Sequence, residues 1–508
     1  MQETFKYTST PTSTIIFGVS GLIGSGASFV ANSLEEELKS FGYKVTNIKV
    51  AQKFLENKFL SDNTEIDIVT EDKELLRRIL SFDGTNDINS TSPPERIKKL
   101  QDLGNRLRKK YGNAVLSEIS AYYLARQISQ NIGERRAYII DSLKNFEEVN
   151  FLRSIFKESF FMIGVVADDN IRKRRLHDQK QIGDTDFNAI SKNENTKDGI
   201  QIKKTILESD YFFENNYDKP DKINSECRRL LDLIFQNSII TPRQDEHGMH
   251  LAFVEARKSA CLSRQVGAAI ISKEGNILSL GHNDVPKFGG GLYNSESIND
   301  RRCFANSRVC HNDIEKIKIL DEIIDKIKEC SCISDENIKE IRNKINETRL
   351  GSLTEFSRAV HAEMDTIIAV SRSAISGIVG STMYVTTYPC HNCAKHIIDA
   401  GIKRVVFLEP YEKSLALQLH FDAINDPFEE CKDHKVSFDN YGGVSPHRYN
   451  EIFAINSNKE RKDKDSKKLK SYKREESSLF SICDSESIKN TLCRFTKDFK
   501  KKFDLCNS

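Results

Sequence analysis

The chain lacks several features that would place it in a particular class of protein. It contains no tryptophan among its 508 residues. No apolar run approaches the roughly 18 residues of a membrane-spanning helix. Its 76 lysines and arginines are almost balanced by 74 aspartates and glutamates, so it has no global basic field to attract nucleic acid. These absences predict a soluble protein without a membrane partner.

The twelve cysteines are the next constraint. No secretory signal precedes them, which predicts a reducing, cytoplasmic compartment in which thiols stay free. The length predicts about two or three domains.

Four residues in the second half have the composition of a catalytic zinc site. His361, Cys390 and Cys393 supply one imidazole and two thiolates, which suit tetrahedral zinc with a fourth position open for water. Glu363 lies only two positions from His361, a spacing that does not place both side chains on one helix face. We therefore interpret Glu363 as a non-ligand carboxylate that shuttles protons. The pattern H-x-E…P-C-x-x-C is the signature of zinc deaminases.

A structural zinc or a chance C-x-x-C is the alternative. A structural site usually has four protein ligands. His391 and His396 are the nearby candidates for a fourth ligand, and neither has the spacing that structural sites favour. The catalytic interpretation is therefore preferred.

A glycine-rich loop in the first half follows a β-branched and aromatic run typical of a buried parallel strand. The loop fits G-x-x-x-x-G-K-[ST] except that Ala27 stands where the lysine is expected. Backbone N–H groups can still bind phosphate. Phosphoryl transfer, however, lacks the lysine ammonium group that would stabilise the charge of the phosphates. A degenerate loop kept for packing is the alternative. The predicted nucleotide-binding residues are Gly21, Gly24, Gly26, Ser28 and the strand-terminal Asp141, with Mg²⁺ accompanying the nucleotide.

The order of strands and helices predicts an α/β fold in both halves. Residues 1–12 are predicted to be a flexible N-terminus, and residues 13–240 a P-loop kinase-like domain with a doubly wound parallel sheet. The basic run Arg172–Arg175 is either a lid over the phosphates or a solvated helix face. In residues 241–455, a helix, two strands and a His-x-Glu helix follow the order of the cytidine deaminase-like α/β/α fold.

Two segments of the second half stand apart from this pattern. Residues 288–350 form an insertion with a charged helical pair, in which Cys303, Cys310 and His311 are candidates for a second metal site. Cys330, Cys332 and His282 are further candidates, and spare thiols are the competing interpretation. Residues 456–508 are predicted to be a charged, solvated C-terminal tail, closed by a short amphipathic helix.

The joined motifs resemble a known family over residues 13–455. They are the glycine loop, RQVGAA at Arg264–Ala269, NDVP at Asn283–Pro286, VHAEMD at Val360–Asp365 and EPYEKSL at Glu409–Leu415. This pattern resembles the bacterial anti-phage deoxycytidylate deaminases of the AvcD/DcdV type, which fuse a kinase-like domain to a dCMP deaminase-like domain. The chain departs from that family at Ala27, and its Cys303/Cys310 region does not match a known role in the family.

The resemblance implies a function and a set of partners. It implies zinc-dependent deamination of dCTP and dCMP, which depletes nucleotides during infection. It further implies that the deaminase is kept inactive before infection, either by an RNA antitoxin or by the N-terminal domain acting as a nucleotide regulator. Asn283 and Ala362 take the positions of substrate contacts, although an Asn before a turn is usually a cap or turn residue. We also expect a homo-oligomer.

Three rival functions remain open from the sequence. The same signature occurs in deaminases of tRNA and single-stranded DNA, against which the balanced charge argues weakly. The second rival is a nucleotide sensor with an inert deaminase domain. The third is a housekeeping dCMP deaminase, which would be a short single-domain chain.

Overall fold

The computed structural model describes residues 10–12, 14–50, 92–131, 134–196, 199–216, 220–329, 337–411, 413–425, 434–454, 461–470, 479–481 and 485–505. The strands of these residues are β1 (Thr10–Thr12), β2 (Thr14–Gly21), β3 (Lys44–Lys49), β4 (Arg136–Asp141), β5 (Phe160–Val166), β6 (Tyr211–Glu214), β7 (Gly267–Ile271), β8 (Ile277–His282), β9 (Thr382–Thr387), β10 (Arg404–Glu409), β11 (Ser437–Asn440), β12 (Gly443–Val444) and β13 (Leu479–Ser481).

The helices of the same residues are α1 (Ala27–Ser40), α2 (Pro93–Tyr111), α3 (Val115–Gln130), α4 (Phe146–Phe156), α5 (Asp169–Lys180), α6 (Asp184–Lys192), α7 (Ile202–Leu207), α8 (Pro220–Phe235), α9 (Gln244–Glu255), α10 (His311–Glu329), α11 (Ile338–Asn346), α12 (Ala362–Arg372), α13 (His391–Asp399), α14 (Ala416–Leu419), α15 (Tyr449–Phe453) and α16 (Ser485–Leu505). The chain divides into two compact units: Met1–Thr241 with Gly442–Ser508, and Pro242–Tyr441.

The sheet of the first unit has the strand order β12-β6-β5-β2-β4-β3. The strands from β6 to β3 are parallel, and β12 joins the β6 edge antiparallel. Successive residues of β2 alternate between two apolar cores, with Ile16 in one and Ile15 and Phe17 in the other. Helices therefore cover both faces of the sheet, which explains why β2 is buried at every position.

The C-terminal segment differs from the sequence-based division. The boundary at residue 455 and the solvated tail 456–508 were expected, whereas Gly442–Ser508 belongs to the first unit. Helix α16 buries Ile488, Leu492, Phe499 and Phe503 in the core of that unit, mainly against α3. These residues recur at helical spacing, a signal that the many lysines between them obscure in the composition.

The predicted flexible N-terminus also differs in its last residues. Thr10–Thr12 form β1, which pairs antiparallel with β13. Residues 1–9 of that prediction lie outside the described residues.

The sheet of the second unit has the order β11-β10-β9-β7-β8. Strands β9, β10 and β11 are parallel, and β7 runs antiparallel to both β8 and β9. A Cβ on Gly267 would lie 2.0 Å from the carbonyl oxygen of Ala252, so glycine allows α9 to approach β7 closely. Among the described residues, no helix has the length and apolar character needed to cross a membrane.

Candidate active site

Two helix N-termini bring the predicted zinc ligands together. His361 immediately precedes α12 and Glu363 lies in its first turn. Cys390 immediately precedes α13, and Cys393 lies in the first turn of that helix. The positive ends of the two helix dipoles favour negative charge on the thiols and on the carboxylate.

The donor atoms have the spacing of a tetrahedral metal site. His361 Nδ1 lies 3.4 Å from Cys390 Sγ and 3.3 Å from Cys393 Sγ. Zinc bound at about 2.0 Å to nitrogen and about 2.3 Å to sulfur separates such atoms by about 3.5 Å in a tetrahedron. In the part of the chain that the structure describes, this is the only group of three or more potential donors within 4.8 Å of one another. The residues present therefore fit zinc.

Protons are distributed unevenly over the three ligands. The hydrogen bond from Cys393, together with His361, lowers the pKa of the Cys390 thiol to about 4. The hydrogen bond with Cys390 raises the pKa of His361 to about 9, and the same sulfur together with burial raises the pKa of Cys393. A metal that binds two thiolates and a neutral imidazole must displace the remaining protons, so we expect proton release on zinc binding.

Glu363 is almost completely buried beside the ligands, with 4% of its surface exposed. Burial raises the pKa of its carboxyl above the usual range, and the charge of His361 partly opposes the shift. A carboxyl that holds its proton more tightly is better suited to proton transfer near neutral pH.

The two predicted substrate-contact residues, Asn283 and Ala362, both interact with other parts of the second unit. Asn283 Oδ1 accepts a hydrogen bond from Val266 N at 2.7 Å, and its Nδ2 donates to Arg264 O at 2.8 Å. Ala362 is fully buried, and its side chain belongs to the apolar core of the second unit. Asn283 therefore fixes the 264–266 segment, as a turn residue does, and the substrate role of both residues stays a prediction.

Sequence reasoning missed a group of polar side chains near Cys390. Burial and the neighbouring Cys390 raise the pKa of the Tyr411 hydroxyl, while Arg264 and Lys316 act in the opposite direction. Arg264 also forms an ion pair with Glu409 at 2.5 Å. The motifs that contain Arg264, Glu409 and Tyr411 were recognised, but Lys316 lies in the insertion and carries no sequence signal.

Comparison with known proteins agrees with this site. The family model for the cytidine and deoxycytidylate deaminase zinc-binding region matches residues 242–409. The deoxycytidylate deaminase of enterobacteria phage T2 is 32% identical over 168 residues, which cover 33% of this chain and 80% of the phage protein. The chain belongs to the cytidine and deoxycytidylate deaminase family. It is a hydrolytic deaminase whose zinc-binding region lies in the second unit.

Two matches of lower identity cover a similar share of the chain. The human deoxycytidylate deaminase is 25% identical over 202 residues, covering 38% of this chain and 85% of the human protein. The dCMP deaminase of cyanophage S-TIM5, solved in complex with dCMP and dUMP, is 20% identical. That structure covers 40% of this chain and 99% of its own, with a TM-score of 0.24.

The predicted nucleotide-binding residues lie around a cavity in the first unit. The cavity has a volume of about 550 Å³, and its walls include Gly21, Gly24, Gly26, Ala27 and Ser28. Ser28 Oγ donates a hydrogen bond of 2.7 Å to Asp141 Oδ2. The parallel register that pairs Val19 with Asp141 explains this contact, because β2 and β4 end at the same edge of the sheet.

The basic run 172–175 is hydrogen-bonded to the glycine loop. Arg172 Nε donates to Ile23 O at 2.8 Å, and Glu194 Oε1 accepts from Ile23 N at 2.8 Å. Arg172 and Arg175 are buried, so this part of the run is not a solvated helix face, and Arg175 also lines the cavity. Glu194 had no sequence signal, because it lies far along the chain in an irregular segment.

The second metal site of the sequence analysis finds no support among the described residues. Cys303, Cys310 and His311 do not form a group of three potential donors there. His311 Nε2 instead lies 3.1 Å from Ser307 Oγ, and burial raises the pKa of Cys310. Cys330 and Cys332 lie outside the described residues.

Proposed function

We propose that this protein removes the 4-amino group of deoxycytidine nucleotides, dCTP, dCMP or both, to give the corresponding deoxyuridine nucleotides. The observation that carries this proposal is the His361, Cys390 and Cys393 donor group with the buried Glu363 beside it. The named deoxycytidylate deaminases among the relatives support the choice of substrate.

Each site residue has a defined task in this reaction. His361, Cys390 and Cys393 would hold zinc, which supplies the Lewis acidity that brings the pKa of a coordinated water towards neutrality. Glu363 accepts the proton of the water that attacks C4 and delivers it to N3 of the base. It then carries the remaining proton of the new C4 hydroxyl group to the amino group, which leaves as ammonia while C4 becomes a carbonyl. Burial of Glu363 excludes bulk water from these transfers.

A substrate screen tests this proposal. Purified protein is incubated with dCMP, dCTP, CMP, CTP and a cytosine-bearing oligonucleotide, and ammonia release and the uracil product are measured. We expect turnover of a deoxycytidine nucleotide and none in the Glu363→Gln variant. Turnover of the oligonucleotide alone would contradict the proposal and favour a polynucleotide editor.

We further propose that the cavity of the first unit binds a nucleotide with Mg²⁺ and regulates the deaminase. Ser28 and Asp141 are the residues that would hold the cation, and this assignment is supported by Asp141 Oδ1, a buried oxygen without a hydrogen-bond partner in the described residues. Gly24 and Gly26 adopt positive φ angles of 80° and 87°, which curve the loop so that backbone N–H groups can face phosphate.

The biological role that we propose is anti-phage defence. Unrestrained loss of dCTP would stop host DNA synthesis, so an RNA antitoxin or a nucleotide in the first unit must restrain the enzyme. We propose a cytoplasmic homo-oligomer as the working form. Size-exclusion chromatography with light scattering tests the oligomer, and nucleic acid that co-purifies with the protein tests the RNA partner.

A further inference from the structure

We propose that Lys144 supplies the phosphate-binding ammonium group that the glycine loop lacks at Ala27. This inference rests on the proposed nucleotide site and adds the residue that compensates for its missing lysine. The charge would come from the segment after β4 instead of from the first turn of α1.

The cavity brings the two positions together. Ala27, Ser28, Ser142 and Lys144 all line its wall. Lys144 lies three residues after Asp141, and Asp141 accepts a hydrogen bond from Ser28. The Lys144 side chain is therefore anchored next to the strand end at which the loop opens, although 117 positions separate it from Ala27 in the sequence (144 − 27).

The backbone of Lys144 is held at both of its polar groups. Its N–H donates to Glu148 Oε2 at 2.7 Å, and its carbonyl accepts from Gln201 N at 2.8 Å. Glu148 in turn accepts a 2.7 Å bond from Arg108 Nη2, and both of these side chains are 1% exposed. A side chain that starts from such a fixed backbone is pre-organised for a ligand.

The ammonium of Lys144 has no partner in the part of the chain that the structure describes. Among the described residues it forms neither a hydrogen bond nor an ion pair, and the side chain is half-buried. Burial lowers the pKa of Lys144, with Glu194 as the main opposing charge. The two oxygens of Glu194 are already bonded to Ile23 N and to Arg172. A half-buried cation on a cavity wall is stabilised when an anion enters that cavity.

Two further atoms at the loop lack partners among the described residues. Ser25 Oγ and Asp141 Oδ1 belong to side chains that are 0% and 3% exposed, and neither has a hydrogen-bond partner in the described part of the chain. Buried polar atoms are nearly always satisfied in folded proteins, so such atoms point to a ligand or ion that completes the site. An anionic phosphate chain with its metal ion matches this set, because it offers oxygens to Lys144 and to Ser25 and a cation to Asp141.

Binding measurements on the full chain test this inference. Isothermal titration with Mg²⁺–ATP and with inorganic triphosphate is carried out on wild type, Lys144→Ala, Lys144→Arg and the double variant Ala27→Lys/Lys144→Ala. We expect Lys144→Ala to weaken binding by about tenfold or more, since a charge-assisted contact is lost. Lys144→Arg should retain most of the affinity. The double variant should regain it, because the lysine is returned to the loop. Lys192→Ala removes an exposed lysine outside the cavity and should bind as wild type does.

The outcomes separate this inference from the proposed function. Binding by wild type that Lys144→Ala leaves unchanged would overturn the role of Lys144 alone. Weak binding by Lys144→Ala that the double variant fails to restore would also overturn it, since the effect would then come from the fold and not from the charge. If wild type binds neither probe, the nucleotide site itself is wrong, while the deaminase assay still decides the proposed reaction. Circular dichroism melting shows whether each variant is folded.

Discussion

His361 and Glu363 illustrate how two neighbouring residues can serve different tasks in the proposed reaction. Residues two apart on a helix point about 200° from one another, so they cannot chelate one ion from the same face. His361 precedes α12 in extended backbone, with φ −74° and ψ 153°, and it is this change of backbone that lets both side chains serve one site. The proposed zinc ligand and the proposed proton carrier are thus separated by geometry.

Replacement of Glu363 by Gln should abolish deamination while the zinc stays bound. The neutral amide keeps the size of the side chain but cannot shuttle protons, which costs roughly 10²–10⁴ in rate for a positioned general acid or base. Initial rates and zinc content are measured together, with the exposed Glu340→Gln as control. Substantial residual turnover would assign the proton transfers to another residue.

Replacement of Cys390 by Ala should remove about one zinc per chain, because two protein ligands do not retain the metal against a chelator. Plasma emission spectrometry after dialysis gives the zinc content. Cys303→Ala is the matched control, since Cys303 lies outside the donor group and should leave the zinc content unchanged. Zinc that is retained by Cys390→Ala but lost from Cys303→Ala would reverse the ligand assignment.

At the scale of single elements, α2 and α4 are joined by a buried ion pair beside the Lys144 segment. Arg108 and Glu148 are each 1% exposed, and the second oxygen of Glu148 binds the backbone N–H groups of Lys144 and Asn145. Glu148 therefore caps the N-terminus of α4 and neutralises the charge of Arg108 at the same time. Removal of either side chain would leave the charge of the other buried and unpaired.

Arg108→Ala should therefore destabilise the first unit by about 3–5 kcal/mol, the usual cost of leaving a buried partner uncompensated. Arg106→Ala is the control, because Arg106 forms an exposed pair with Asp102 and should change stability by about 0.5 kcal/mol or less. The free energy of unfolding of each variant is measured by chemical denaturation, which is followed through hydrogen exchange of the amides of β2 and β4. Equal effects of the two variants would show that the buried pair has no special role.

Helix α16 completes one core of the first unit from the far end of the chain. Its Phe499 stacks on Tyr122 of α3 with ring centroids 4.5 Å apart, and Phe503 lies 5.1 Å from Tyr111. Large aromatic side chains of this kind contribute most of the apolar area that such a helix buries.

Phe499→Ala should lower the stability of the first unit by about 3–5 kcal/mol, because the loss of the ring leaves a cavity against α3. Lys501→Ala, two positions along the same helix and exposed, should have almost no effect. Calorimetry resolves the transition of the first unit from that of the deaminase unit. An unchanged transition in Phe499→Ala would show that α16 is dispensable.

On the scale of the whole molecule, a deaminase unit and a separate unit with a cavity share one chain. A ligand of the cavity can change deamination only to the extent that its affinity differs between the restrained and the active state. The proposed regulation therefore requires that the ligand of the cavity binds the two states with different affinities.

Expression of the wild-type chain should lower dCTP and raise dUMP chiefly during infection or after loss of a repressor, and should reduce phage yield. The Glu363→Gln chain should do neither, because its fold and zinc are intact but it cannot move protons. Nucleotide pools and plaque counts are measured in parallel cultures. Equal protection by both chains would mean that deamination is not the effector and would favour the sensor function.

The sequence by itself determined what depends on short spacing. His361, Glu363, Cys390 and Cys393 occupy two short motifs whose geometry follows from helix starts and a C-x-x-C turn, so the zinc group could be predicted before any fold was known. The glycine loop and the apolar run of β2 were recognisable for the same reason.

Only the tertiary structure decided which distant residues meet. Four features join segments that lie far apart along the chain: the contact of Arg172 with the loop, the two hydrogen bonds of Asn283, the burial of α16, and the presence of Lys144 and Ala27 in the wall of one cavity. The separation of these segments in the sequence carries no information about their distance in space. Such contacts follow from the order of strands in a sheet and from the packing of whole helix faces, and these are set by the folding of the complete unit.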